Sequence, residues 1–167
     1  PSIEKFSGVF DGNGHKISGV TITDELPESN FANWRAAFIV TNTGVIKNLT
    51  LENVSVNIAG DCGTTAGPGC GGLVGENKGT IQSCSVTGTV KGSGLEKVGG
   101  IAAYVTGASA VIKDSSFIGT VTAKFLPGGI TGVGRQGGSI LRCFAIADLV
   151  ATSTVKIGGS TQKGNEA

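Results

Sequence analysis

The sequence predicts an all-β fold, a parallel β-helix (solenoid) of about five to six rungs. Three observations carry that expectation. Of 167 residues, 29 are Gly, about 17% against a usual ~7%. Val and Ile together supply another 30 and Ser and Thr 31, whereas aromatics are only 5% and Met is absent. The third observation is an internal repeat. GGLVGENKGTIQSCSVTGTV (Gly71 to Val90), GGIAAYVTGASAVIKDSSFIGTV (Gly99 to Val121) and GGITGVGRQGGSILRCFAIADLV (Gly128 to Val150) align, their Gly pairs starting 28 and then 29 residues apart (99 − 71 and 128 − 99).

Composition removes the rivals. A helical bundle tolerates neither this much Gly nor this many β-branched residues. Collagen needs Gly at every third position and far more Pro than the 4 present. A disordered chain has fewer branched apolar residues and more charge. An antiparallel sandwich does not explain a register held at 28 and 29 residues. A repeat of this length with several short strands cannot bury its apolar face alone. Stacked copies bury it, with like positions ~4.8 Å apart.

In chain order, Phe6 to Ile22 (FSGVFDGNGHKISGVTI) reads as strand, tight turn, strand, with Asp11-Gly12-Asn13-Gly14 as the turn. The segment 24–36 interrupts the pattern. It holds the sole Trp and is expected to project from the first rung, with Phe31, Trp34 and Arg35 as the candidate interaction residues or as a cap on the open end. Ala37 to Val56 (AFIVTNTGVIKNLTLENVSV) is a looser copy of the repeat. The segment 60–70 is a second outgrowth, in which Cys62 and Cys70 bracket CGTTAGPGC and are expected to form a disulfide. The three close copies then build one inward column from Ile46, Ile81, Ile112 and Ile140 and another from Leu49, Cys84, Ser115 and Cys143. Cys84 and Cys143 fall two rungs apart, too far for a bridge, and are expected to be buried thiols. The domain is expected to run over 1–157, with 158–167 a tail, linker or partial rung.

Several functions are disfavoured. Thirteen basic and 12 acidic residues leave a net charge of +1, with no footprint for nucleic acid. No apolar run approaches the ~18 residues of a membrane span. The start at Pro1 reads as a processed or excised chain. The Asp residues at 11, 24, 61, 114 and 148 form no column, and His15 has no catalytic partner at recognisable spacing, so neither an enzyme nor a metal or other cofactor is expected. Gly12-Asn13-Gly14 lacks the GK[ST] ending of a phosphate loop. Thr87 and Thr89 align with Ile118 and Thr120 and then with Ile146 and Asp148, which breaks any threonine ladder. Asn48-Leu49-Thr50 and Asn53-Val54-Ser55 match N-glycosylation sequons, and the sequence leaves their use open.

FDGNGHKISG, Phe10 to Gly19, resembles the opening rung of pectin-lyase-like β-helices. Gly44 to Leu51 (GVIKNLTL) and Gly71 to Val90 resemble GLUG-repeat proteins, whose unit runs roughly GGLVGxNxGTIxNCxVxGxV. Ala102-Ala103-Tyr104 stands where the pattern has Val-Gly-Glu. The resemblance, over about Phe6 to Val150, implies a right-handed helix and a secreted or surface-attached prokaryotic protein. GLUG repeats occur in large adhesin-like proteins and in non-catalytic regions of IgA-specific metallopeptidases. This chain has no HExxH zinc motif. The expected role is a non-catalytic structural or adhesive module, extracellular or at the cell surface, stacking on itself end to end or contacting a host or surface glycan or protein. A carbohydrate-binding module, and less so a polysaccharide-active enzyme, are the alternatives.

Overall fold

The computed structural model describes residues 2–63, 67–157 and 160–163, the last strands (154–157 and 160–163) by backbone alone. Every sheet of the body is parallel, because each strand pairs with its counterpart one turn earlier and one turn later. Four columns of strands result. The first stacks Ile3–Phe6, Ile39–Asn42, Val74–Asn77, Ala102–Thr106 and Thr131–Arg135. The second stacks Val9–Asp11, Val45–Lys47, Thr80–Gln82, Val111–Lys113 and Ser139–Leu141. The third stacks Lys16–Ser18, Thr50–Ala59, Ser85–Gly92, Ser116–Ala123 and Phe144–Ala151, and Thr21–Glu25 also pairs with Thr50–Ala59. The fourth holds Arg35–Ala36, Gly69–Gly71, Lys97–Gly99 and Leu126–Gly128. The chain is thus a β-solenoid of five rungs, and among the described residues the fourth column starts at the second of them.

The apolar columns are those of the sequence repeat. Phe10, Ile46, Ile81, Ile112 and Ile140 are direct register partners in the second column. In the third, Leu51, Val86, Phe117 and Ala145 stack, as do Val56, Val90, Val121 and Leu149. Each fully buried Val, Leu, Ile or Phe contributes about 1.5–3 kcal/mol, so a narrow core of such columns needs few aromatics. A polar pair lies in the same interior. Asn42 and Asn77 are both fully buried, and Asn42 Nδ2 donates to Asn77 Oδ1 at 2.8 Å. Asn77 Nδ2 in turn donates to the carbonyls of Gly79 and Val111, so both buried amides have a partner on the next rung.

One expectation about cysteine changes. Cys84 is buried, but Cys143, in the final rung among the described residues, is partly exposed. Cys62 and Cys70 are both buried and both free in this structure, so the expected bridge is not formed here. Each is held separately: the Cys62 N–H donates to the Gly94 carbonyl, while Cys70 sits mid-strand in the fourth column beside Gly92. Burial pushes the Cys70 thiol far above its usual pKa. After the last rung, Thr154–Ile157 pairs antiparallel with Ser160–Lys163. The expected boundary at 157/158 falls between these two strands; residues 158–159 and 164–167 of the expected tail lie outside the described residues.

Candidate functional site: the face where the two outgrowths meet

The two interruptions read from the sequence as separate loops join on one face. After Thr21–Glu25 the chain leaves the third column. It turns at Asn30, whose backbone is left-handed (φ 60°), makes one 3-10 turn at Phe31–Asn33, and enters the fourth column at Arg35. Phe31 and Trp34 are half-buried and pack against the core cluster. Both side chains therefore fold back toward the core and do not stand out into solvent.

Arg35 ties this loop to the second outgrowth. Its Nη1 donates to the carbonyls of Trp34 (2.8 Å) and Gly67 (2.6 Å). Gly67 is the meeting point. Its φ of 133° and the position of the Ala32 carbonyl, 2.0 Å from where a Cβ would stand, admit only glycine. The Gly67 N–H donates to the Glu96 carboxylate, and the Tyr104 hydroxyl donates to the Gly67 carbonyl.

Around Tyr104 three cations gather. The Arg35 guanidinium carbon lies 3.8 Å from the ring centroid, that of Arg135 4.8 Å, and Lys97 Nζ 5.5 Å. Ring faces attract cations, and Glu96 supplies the counter-charge by pairing with Lys97. Burial lowers the pKa of both Arg35 and Lys97 and pushes Tyr104 up to about 12. Tyr104 is therefore a neutral hydroxyl at neutral pH, placed to donate. Beside this cluster a groove of about 260 Å³ runs between Glu4, Asp24, Asn33, Trp34 and Arg35.

Of the residues singled out by sequence, the structure brings Phe31, Trp34 and Arg35 together. Reading the sequence alone misses Gly67, Glu96, Lys97, Tyr104 and Arg135. One signal was available for Tyr104: it replaces a Glu of the repeat, and the register places it directly against Glu76.

The carboxylates elsewhere tie rungs together. Asp11 accepts from Asn48 Nδ2 (3.0 Å) and the Asn13 N–H (2.9 Å) and pairs with Lys47 (3.1 Å), which hold its pKa down at about 2. Asp114 takes both Nε and Nη2 of Arg142 from the following rung. Asp61 pairs with Lys124, and Glu52 with Lys16 and Ser18. Among the described residues no three His, Cys, Asp or Glu side chains group as metal ligands, and no helix is long and apolar enough to cross a membrane.

Comparison with known proteins fits this geometry. Residues 68–91 match the family model described as the GLUG motif. That span is the third rung, from Gly69–Gly71 through Ser85–Gly92, so one motif is one turn of the solenoid. Over 105 residues, 62% of the chain, the sequence is 36% identical to Halomucin of Haloquadratum walsbyi (strain DSM 16790 / HBSQ001). The matched stretch spans only 1% of that protein's length. No solved structure matches the chain.

Proposed function

We propose that this chain is a non-catalytic, surface-associated structural module that stacks end to end through its open rungs and offers its loop face to partners. The observation that carries the reading is the change of exposure along one column. Ile46, Ile81 and Ile112 are fully buried, whereas Ile140, the next member, is 42% exposed. The strands Thr131–Arg135, Ser139–Leu141 and Phe144–Ala151 are also the last members of their sheets, as Ile3–Phe6 and Val9–Asp11 are the first of theirs. A sheet edge with apolar side chains is a template for another strand. Contact between the two different ends of identical molecules is heterologous and grows open filaments. Similarity to Halomucin and the GLUG resemblance to large adhesin-like proteins support a surface location. Arg35 and Trp34 are occupied in joining and packing the loops, which gives less support to a glycan platform built on Trp34.

The test is sedimentation velocity and negative-stain microscopy across a concentration series. Rods of increasing length are expected, and shortening of the rods by the change Ile140→Lys. Monomers at every concentration would overturn the stacking reading.

A further inference from the structure

We propose that Asn53 is an N-glycan attachment site and that the neighbouring sequon at Asn48 is not. Both sequons lie on the second rung, and both asparagines are exposed with left-handed backbones (φ 54° at Asn48 and 56° at Asn53). Their carboxamides differ. Asn48 Nδ2, the nitrogen a glycan would have to join, donates to Asp11 Oδ1 at 3.0 Å. The same carboxylate is held by Lys47 and by the Asn13 N–H. Transfer to Asn48 would have to take place on a nitrogen already held in this cluster, which links the first rung to the second.

Asn53 is presented by a β-bulge. Leu51 pairs with Val86 and Val54 with Gly88, so Glu52 and Asn53 together oppose Thr87. Bulges re-aim a side chain out of the sheet. The Asn53 N–H leaves the ladder and bonds Thr87 Oγ1 at 3.1 Å, while its carboxamide makes no hydrogen bond among the described residues. On the neighbouring rung the backbone comes close: a Cβ on Gly88 (φ 135°) would stand 2.1 Å from the Val54 carbonyl. The next pair of rungs, Ser85–Gly92 against Ser116–Ala123, runs in continuous register, so the bulge belongs to the second rung's junction with the third. Room exists on the other side as well. Gly19, whose N–H donates to the Glu52 carbonyl, has open space where a side chain would be. Ser55, the hydroxyl position of the sequon, is exposed.

The chemistry is a redox-neutral group transfer from a lipid-phosphate-linked glycan. The Asn53 carboxamide nitrogen attacks the anomeric carbon and loses one proton. A C–N bond forms, the anomeric C–O bond to phosphate breaks, and the lipid phosphate leaves. In the cell this rests on the surface reading above, because the transfer machinery meets exported chains. The experiment therefore has two arms.

The first arm takes the full chain from its native cell surface, cleaves it after Glu52, and locates glycan by mass spectrometry. Glycan on the fragment that begins at Asn53, and none on Asn48, is expected. Ser55→Ala, which leaves Asn53 and its bulge in place, should lose the glycan mass completely, as should Asn53→Gln, whereas Asn48→Gln should leave it unchanged. A surface-recovered chain bare at Asn53, or one also modified at Asn48, overturns the proposal. The second arm presents the folded chain to a purified oligosaccharyltransferase with a lipid-linked glycan. Modification at Asn53 alone is expected; modification of Asn48, or of neither, overturns the proposal. A chain recovered only inside the cell counts against the surface reading, and the second arm then decides the site.

Discussion

Ile112 and Ile140 are the same residue type in adjacent rungs of one column, yet the first is fully buried and the second is largely open. Their rungs have similar sequences and near-identical hydrogen-bonding registers. What differs is only whether another rung lies above. In a globular core burial is shared among many distant segments, whereas here it is conferred by the two adjacent turns, so stability is close to a sum of neighbour terms. The same contrast explains Cys84 and Cys143, equivalent positions of which only the interior one is buried.

This comparison is broken or sharpened most directly by cutting the column. Ile112→Ala should cost about 2–5 kcal/mol, the usual range for a buried Ile, and Ile140→Ala less than half as much, by urea unfolding. Equal losses would mean that the end rung is covered in solution, and dilution should then separate them. A smaller effect is expected where the loops meet. Gly67→Ala places a side chain on the Ala32 carbonyl in a strained backbone and should cost about 1–3 kcal/mol. It should also raise protease sensitivity in 24–36 and 60–70 together, while leaving amide exchange in the stacked columns unchanged. The smallest effect is alkaline. Burial raises the Tyr104 hydroxyl to about 12 in the folded chain from its ordinary value of 10.0. The unfolded chain therefore loses this proton first, and stability contributed by the buried neutral phenol is present below pH 10 and lost as pH rises toward 12. Tyr104→Phe should remove that part of the pH dependence in unfolding curves measured from pH 9 to 12.

The architecture was legible because a solenoid writes its tertiary register into sequence periodicity. Ile46, Ile81, Ile112 and Ile140 could be stacked on paper, and the pairing is the one observed. The face built on Gly67 was not. Arg135 and Lys97 come from later rungs at positions the repeat does not single out, Tyr104 shows only as a departure from the repeat, and their convergence depends on how two non-repeating loops fold back. Nor does a sequon reveal its own backbone: Asn48 and Asn53 look alike until a carboxylate is found holding one and a bulge presenting the other. The partial exposure of Cys143 was hidden for a third reason, since its own residue code does not state how its neighbours cover it.

The spacing of that isoleucine column carries one more consequence. Successive members are separated by 35, 31 and 28 residues (81 − 46, 112 − 81 and 140 − 112), yet they lie in direct register. Contour length per turn is thus uncoupled from axial rise. A segment can be lengthened at a corner without displacing the turn that follows it, and a turn can be duplicated without altering any corner. Such a molecule behaves as a graduated rail: its divisions are fixed by backbone geometry, and what hangs from each division is free to diversify.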